Sequence, residues 1–178
     1  MGKAIAGTAL ISDLRSEATL SARRRHGRAV NAVAEYLRSH LRVPNIYIDP
    51  SVAALRRIDV LAADAAGSGD LHAVEVKLLT TPTGTMAMRL HVELVKALPA
   101  HYKYLAIQRN ITNTAADLGL FSTDGIGRVG VLLISESGDH VPTVELAIKP
   151  ERFRVGPDDL ARVEKFLKNS KPDIYVRL

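Results

Sequence analysis

Two carboxylates and an amine stand out by residue type and spacing. Asp59 lies in Arg56-Arg57-Ile58-Asp59-Val60-Leu61, and Glu75 and Lys77 lie in Val74-Glu75-Val76-Lys77-Leu78. Both pieces are short and rich in branched apolar residues, and the polar stretch Asp64-Ala65-Ala66-Gly67-Ser68-Gly69-Asp70 separates them, so they read as the strands of a hairpin. Strand side chains alternate between faces. Ala73, Glu75, Lys77 and Leu79 then share one face, Val74, Val76 and Leu78 share the other, and pairing brings Asp59 beside Glu75. Charges set among apolar residues must reach solvent, pair, or hold an ion. Mg²⁺ or Mn²⁺ fits such a place, because a hard cation takes one or two carboxylates plus waters and phosphate oxygens. Asp59 and Glu75 are the candidate ligands, with the Val76 carbonyl as a third. Lys77 beside them would orient a water or stabilise charge on a phosphate. A plain Glu–Lys pair on a solvated sheet face is the competing reading of the same tripeptide.

Helical patterns flank the hairpin. Val30, Val33, Ala34, Leu37 and Leu41 recur at three- and four-residue steps, which predicts a helix from about Ser21 to Leu41 that packs on the sheet. Glu35 falls on the opposite side of that helix, towards solvent. Asn45 to Asp49 reads as the first core strand, stopped by Pro50. A second helix over Met86 to Leu98 would cross between parallel strands, with His91 on its apolar side as a core histidine. Tyr102 to Gln108 reads as the next strand. Gly119 to Ser122 and Arg128 to Ser135 read as a final hairpin around Asp124-Gly125. Val141 to Ile148 reads as a peripheral strand. A last helix starts at Gly156-Pro157-Asp158, with Leu160, Val163, Phe166 and Leu167 inward. Residues 1–18 carry no clear element and read as a variable arm, and Ile174-Tyr175-Val176 is a candidate edge strand.

With the strands in place, Ile58-Asp59 followed by Glu75-Val76-Lys77 resembles the bipartite signature of the PD-(D/E)XK nuclease superfamily. Ile58 stands where that signature usually has proline. Within the superfamily, Arg56 to Val60, Tyr104 to Ile107 and Leu118 to Asp124 resemble the MmcB-like DNA-repair proteins, over about residues 27–134. The resemblance implies an α/β (α+β) fold of the restriction-endonuclease-like kind, a mixed β-sheet flanked by helices. It implies a Mg²⁺-dependent nuclease acting on DNA phosphodiesters in DNA repair, with Asp59, Glu75 and Lys77 catalytic, and it allows a homodimer. Asp49 matches an acidic position ahead of the Arg-Arg-x-Asp motif and is a candidate further metal ligand. An Asp before Pro50 is equally an ordinary turn former.

Composition agrees with one soluble domain. The 178 residues are 47% hydrophobic and 24% charged, enough for one core and too few for two ordinary domains. The expected division is a core over about 21–135 and a C-terminal extension over 136–178 with one helix. Nothing approaches the roughly 20 consecutive apolar residues of a membrane helix, so a cytoplasmic protein without membrane contact is expected. Absence of cysteine excludes disulfides and thiolate metal sites. The six histidines lack paired zinc spacing, and no phosphate loop, dinucleotide fingerprint or nucleophile elbow is present. The net charge of +5 suits a polyanionic partner. Arg24, Arg25 and Arg28, in the run Arg23 to Arg28, are candidate nucleic-acid contacts, as is Arg57, two residues before Asp59 on the same strand face; a solvated helix end is the other account of the run. Two further readings stand beside the nuclease: a non-catalytic nucleic-acid-binding or assembly protein on the same fold, and an unrelated α/β partner-binding domain.

Overall fold

The computed structural model describes residues 5–50, 58–65, 68–78, 85–111, 129–138 and 140–173. Six strands form one mixed sheet in chain order: β1 (Asn45–Ile48), β2 (Val60–Ala65), β3 (Ser68–Lys77), β4 (Tyr102–Gln108), β5 (Gly130–Ser135) and β6 (Thr143–Ile148). β1, β2 and β3 are an antiparallel meander, β3, β4 and β5 run parallel, and β6 returns antiparallel to β5. The long helix α1 (Ile5–Ser39) covers one face, while α2 (Thr85–Lys96) and α3 (Pro157–Asn169) cover the other. The fold is therefore an α/β sheet flanked by helices on both sides.

Strands buried on both faces read as near-continuous apolar runs, as β5 and the centre of β4 do, whereas β3 interrupts its run with Asp70, His72, Glu75 and Lys77. Val74, Val76, Tyr104, Ala106, Leu132 and Ile134 pack towards Val30, Val33 and Leu37 of α1. Their neighbours Ala73, Leu105, Ile107, Val131 and Leu133 face Val92 and Val95 of α2 and Val163 and Leu167 of α3. Glu75 and Lys77 share the face of Ala73 and escape full burial because β3 ends at Lys77.

Several expectations need correction. Helix α1 begins at Ile5 rather than Ser21, so much of the expected arm belongs to it. Residues 8–26 contain neither proline nor glycine and are rich in Ala, Leu and Arg, which favours helix. At 35 residues it is roughly 50 Å long, and residues 19–24 are exposed before burial begins at Ala29. The hairpin strands run on through the polar stretch read as a turn, leaving 66–67 between them; a register shift at Ala63 to Ala65 and a left-handed Gly69 (φ 109°) absorb the irregularity. Both edges of β5 are taken, by β4 and β6, so its hairpin partner is β6 and not Gly119–Ser122, which lies outside the described residues. The C-terminal extension supplies the expected peripheral strand, as the edge strand β6, and the expected helix, as α3. Asp173 closes the far edge of the sheet: its N–H donates to Ile46 O at 2.7 Å, and Ile48 N–H donates to its Oδ2 at 2.8 Å. The proposed strand over 174–176 lies outside the described residues.

At the amino ends of β3 and β4, His72 stacks on Tyr102 with centroids 4.9 Å apart, and His101 Nδ1 accepts from Leu71 N–H at 3.0 Å. Burial holds both imidazoles below the usual histidine pKa. The unfolded chain, with histidines near 6.5, then binds protons that the folded chain refuses. Stability is fully present above that value and is lost as pH falls below it towards the folded pKa values. The urea midpoint is expected to drop below about pH 6.5, and His101→Asn, whose amide oxygen can still accept from Leu71, is expected to flatten that dependence. An unchanged pH profile in that variant would refute the assignment. Packing at Gly130 gives a second expectation, since an added Cβ would lie 2.8 Å from Tyr104 Cδ1 and 2.9 Å from Pro150 Cδ. Gly130→Ala should destabilise by about 1–3 kcal/mol, measured by equilibrium urea unfolding.

Candidate active site

Where β2 begins, its backbone no longer pairs with the end of β3. Val60 opposes Val74, and two residues further along β3 the Val76 N–H donates instead to Asp59 Oδ2, at 2.7 Å. Asp59 thus completes the ladder with its side chain and is only 6% exposed. A carboxylate oxygen has two acceptor positions, so this bond leaves Oδ2 able to accept once more. In an extended strand the N–H and C=O of one residue point to the same edge, which sends the Val76 carbonyl towards the Asp59 side. The other oxygen, Oδ1, lies 3.2 Å from His26 Nε2 of α1.

Asp59, Glu75 and Lys77 line one cleft of about 740 Å³ between α1 and the carboxyl end of β3. Glu75 and Lys77 form an ion pair there. Asp49 lines the same cleft from the turn after β1, with φ at 47° and its N–H donating to Asp59 O at 2.9 Å. Asp49 is thus both the turn residue and a carboxylate of the cleft. From α1 come Arg23, His26, Gly27 and Asn31. A Cβ at Gly27 would meet nothing within 4 Å, so the helix leaves the opening wide at that point.

His26 is the residue that motif reading passed over, having counted it only within the basic run. The signal was present: carrying the apolar stripe of α1 back from Val30 by three and four positions reaches Gly27 and His26. Glu35 pairs with Arg38 at 3.0 Å, away from the cleft, as its helical phase implies. His91 differs from the satisfied core histidine expected of it: its Nδ1 is buried without a hydrogen-bond partner. Burial first, and then the Lys77 charge, lower its pKa.

The basic run divides. Arg24 is exposed. Arg25 pairs with Glu136, and Arg28 donates to the His140 carbonyl, so these two tie α1 to the connection between β5 and β6. Arg57 lies outside the described residues, as do residues 79–84 ahead of α2.

Among the described residues no group of three His, Asp or Glu side chains is arranged to cage an ion. The cleft suits a different mode, in which a hydrated hard cation keeps most of its waters and touches one or two carboxylates. Asp59, Glu75, Asp49 and the Val76 carbonyl supply oxygen donors of that kind.

Because Asp59 closes the ladder, its two simplest replacements should differ. Asp59→Ala leaves a buried amide without an acceptor and is expected to cost about 1–3 kcal/mol. Asp59→Asn keeps an oxygen for Val76 and should unfold near the wild-type midpoint. Equal losses in both would show that the Val76 bond is not what matters.

No family model matches the chain, and no curated protein matches it. Among solved structures it is similar to the SPO1766 protein of unknown function from Silicibacter pomeroyi, at 15% identity over 81% of this chain and 84% of that one, with a TM-score of 0.52. A likeness of that degree shows a shared fold and nothing about activity.

Proposed function

We propose that the chain is a metal-dependent nuclease that hydrolyses DNA phosphodiester bonds in the cleft beneath α1. The observation that supports this reading is that Asp59, Glu75 and Lys77, distant in sequence from the helix above them, line one opening together with Asp49 and Arg23. The resemblance to the PD-(D/E)XK superfamily supplies the reaction class and the MmcB-like pattern suggests repair, with a cytoplasmic location and a homodimer as parts of the same reading.

Asp59, Glu75 and the Val76 carbonyl, with Asp49 beside them, would hold Mg²⁺ or Mn²⁺. When bound, the cation supplies Lewis-acid stabilisation of phosphate charge and a more acidic water. The chain's own residues do the rest. The Val76 amide fixes Asp59 in one orientation before any substrate arrives, so little reorganisation is needed at that carboxylate. Lys77 would leave its pairing with Glu75 to donate to a phosphate oxygen or to orient the attacking water. Arg23, at the mouth of the cleft, would take an adjoining phosphate.

A non-catalytic nucleic-acid-binding protein is the second reading. It is favoured by the internal engagement of the same groups, Glu75 by Lys77 and Asp59 by Val76 and His26.

Labelled single-stranded, duplex and branched DNA, and RNA, incubated with Mg²⁺, Mn²⁺ or EDTA separate the two. Metal-dependent cutting is expected, reduced roughly 100-fold or more in Asp59→Asn and Lys77→Ala. Calorimetry should show weaker Mn²⁺ binding in Asp59→Asn but not in Lys77→Ala. No cutting of any substrate by folded protein, or cutting undiminished in both variants, would end the nuclease reading.

A further inference from the structure

Arg23 and Arg25 stand two residues apart on α1, about 200° around the helix axis, and they line different cavities. Arg23 belongs to the cleft of Asp59, Glu75 and Lys77. Arg25 faces a second cavity of about 430 Å³, bounded by Gln108 and Arg109 at the end of β4 and by Ser135 and Glu136 at the end of β5. Both openings therefore lie at the carboxyl ends of the neighbouring parallel strands β3, β4 and β5, the end at which open α/β sheets generally bind ligands.

A carboxylate reaches into the second cavity. Glu136 Oε2 pairs with Arg25 and also accepts from Gln108 Nε2 at 2.8 Å. Gln108 is only 7% exposed, so its amide is held in place. Arg28 adds a further positive charge near Glu136, and these partners hold the Glu136 carboxyl below the usual carboxylate range, the Arg25 hydrogen bond most of all. Arg109, which also lines the cavity, donates from Nε to Ser135 Oγ at 2.8 Å. One oxygen thus receives a guanidinium and a buried amide NH₂, a donor set equally suited to a phosphodiester oxygen. The carboxylate is replaceable, because the Arg25 and Glu136 side chains are 41% and 22% exposed and an ion pair so open to water contributes little.

We propose that this cavity is a phosphate subsite for a nucleic-acid strand continuing from the cleft, and that Glu136 is an internal anion occupying it until a phosphodiester displaces it. The inference rests on the nucleic-acid reading above, though not on catalysis. Glu136 keeps Arg25 and Gln108 preorganised in the empty protein and weakens binding by the cost of its own displacement.

The test is fluorescence anisotropy of a labelled single-stranded DNA oligonucleotide in EDTA, at several potassium chloride concentrations. It compares wild type, Glu136→Gln, Arg25→Gln, the double variant, and Glu164→Gln on α3 as a control for loss of any one negative charge. Glu136→Gln is expected to raise affinity roughly fivefold and to steepen the log–log salt slope by about 0.7, one released counterion. Glu164→Gln should change neither, and the gain should vanish in the Arg25→Gln background. Equal gains from both glutamine variants, a gain that survives loss of Arg25, or no gain at all would overturn the proposal. Displacement of the oligonucleotide by inorganic phosphate at matched ionic strength would make this a free-phosphate site and overturn it as a strand subsite. Parallel cleavage assays with Mg²⁺ separate the two ideas. Cutting without a Glu136 effect removes the subsite and leaves the nuclease, whereas a Glu136 effect without cutting leaves the subsite on a binding protein.

Discussion

A backbone amide left over at the end of a strand must find an acceptor, and Val76 finds the carboxylate of Asp59. Buried amides without partners are rare because leaving one dry is expensive. Here the need is met by a charged side chain instead of another carbonyl. The same bond ends the β2–β3 ladder, sets the direction of Asp59 and places Oδ1 against His26 of α1. Chain geometry and the chemistry of the cleft are thereby coupled through one residue.

The rest of the molecule supplies what such a residue requires. Apolar packing on both faces of the sheet holds β3 between α1 and α2. The point at which β3 stops then decides which charged groups reach water, and Glu75 and Lys77 do so because the last residues of the strand itself, not a loop, carry them to the sheet end. Helix α1 plays a double part. Its later half is core, and its middle lays arginines across the ends of three strands, with Arg23 and Arg25 on separate flanks. A helix beginning only at Gly27, about six turns later, would cover the core as well and leave both cavities without the α1 arginines.

Much of this was legible in the sequence where one rule acts alone. Strand β4 matches the expected Tyr102 to Gln108 because its apolar run is bounded by polar residues at both ends, and α3 starts at Pro157 behind Gly156 as its capping signals imply. Convergence of Asp59 with Glu75 and Lys77 followed from hairpin pairing and strand alternation. What escaped was set by contacts between distant segments. Polar residues at 64–70 suggest a turn locally, yet pairing between β2 and β3 extends both strands into them. The partner of β5 is decided by competition for its edge, which no local pattern records. His26 resembles one more basic residue until the helix is placed over Asp59, and the cavity at Glu136 joins residues 25, 108 and 136, whose proximity only the topology creates.

The clasp of Asp173 on β1 has a consequence for how copies of this chain behave towards one another. A bare edge strand presents a row of backbone donors and acceptors that recruits further strands, the usual beginning of sheet-mediated aggregation. By donating to Ile46 and accepting from Ile48, Asp173 caps that row with the chain's own polypeptide and puts a negative charge on the rim. The carboxyl-terminal segment therefore acts as a guard on a sticky margin, and colloidal solubility in this fold depends partly on residues far from any cleft.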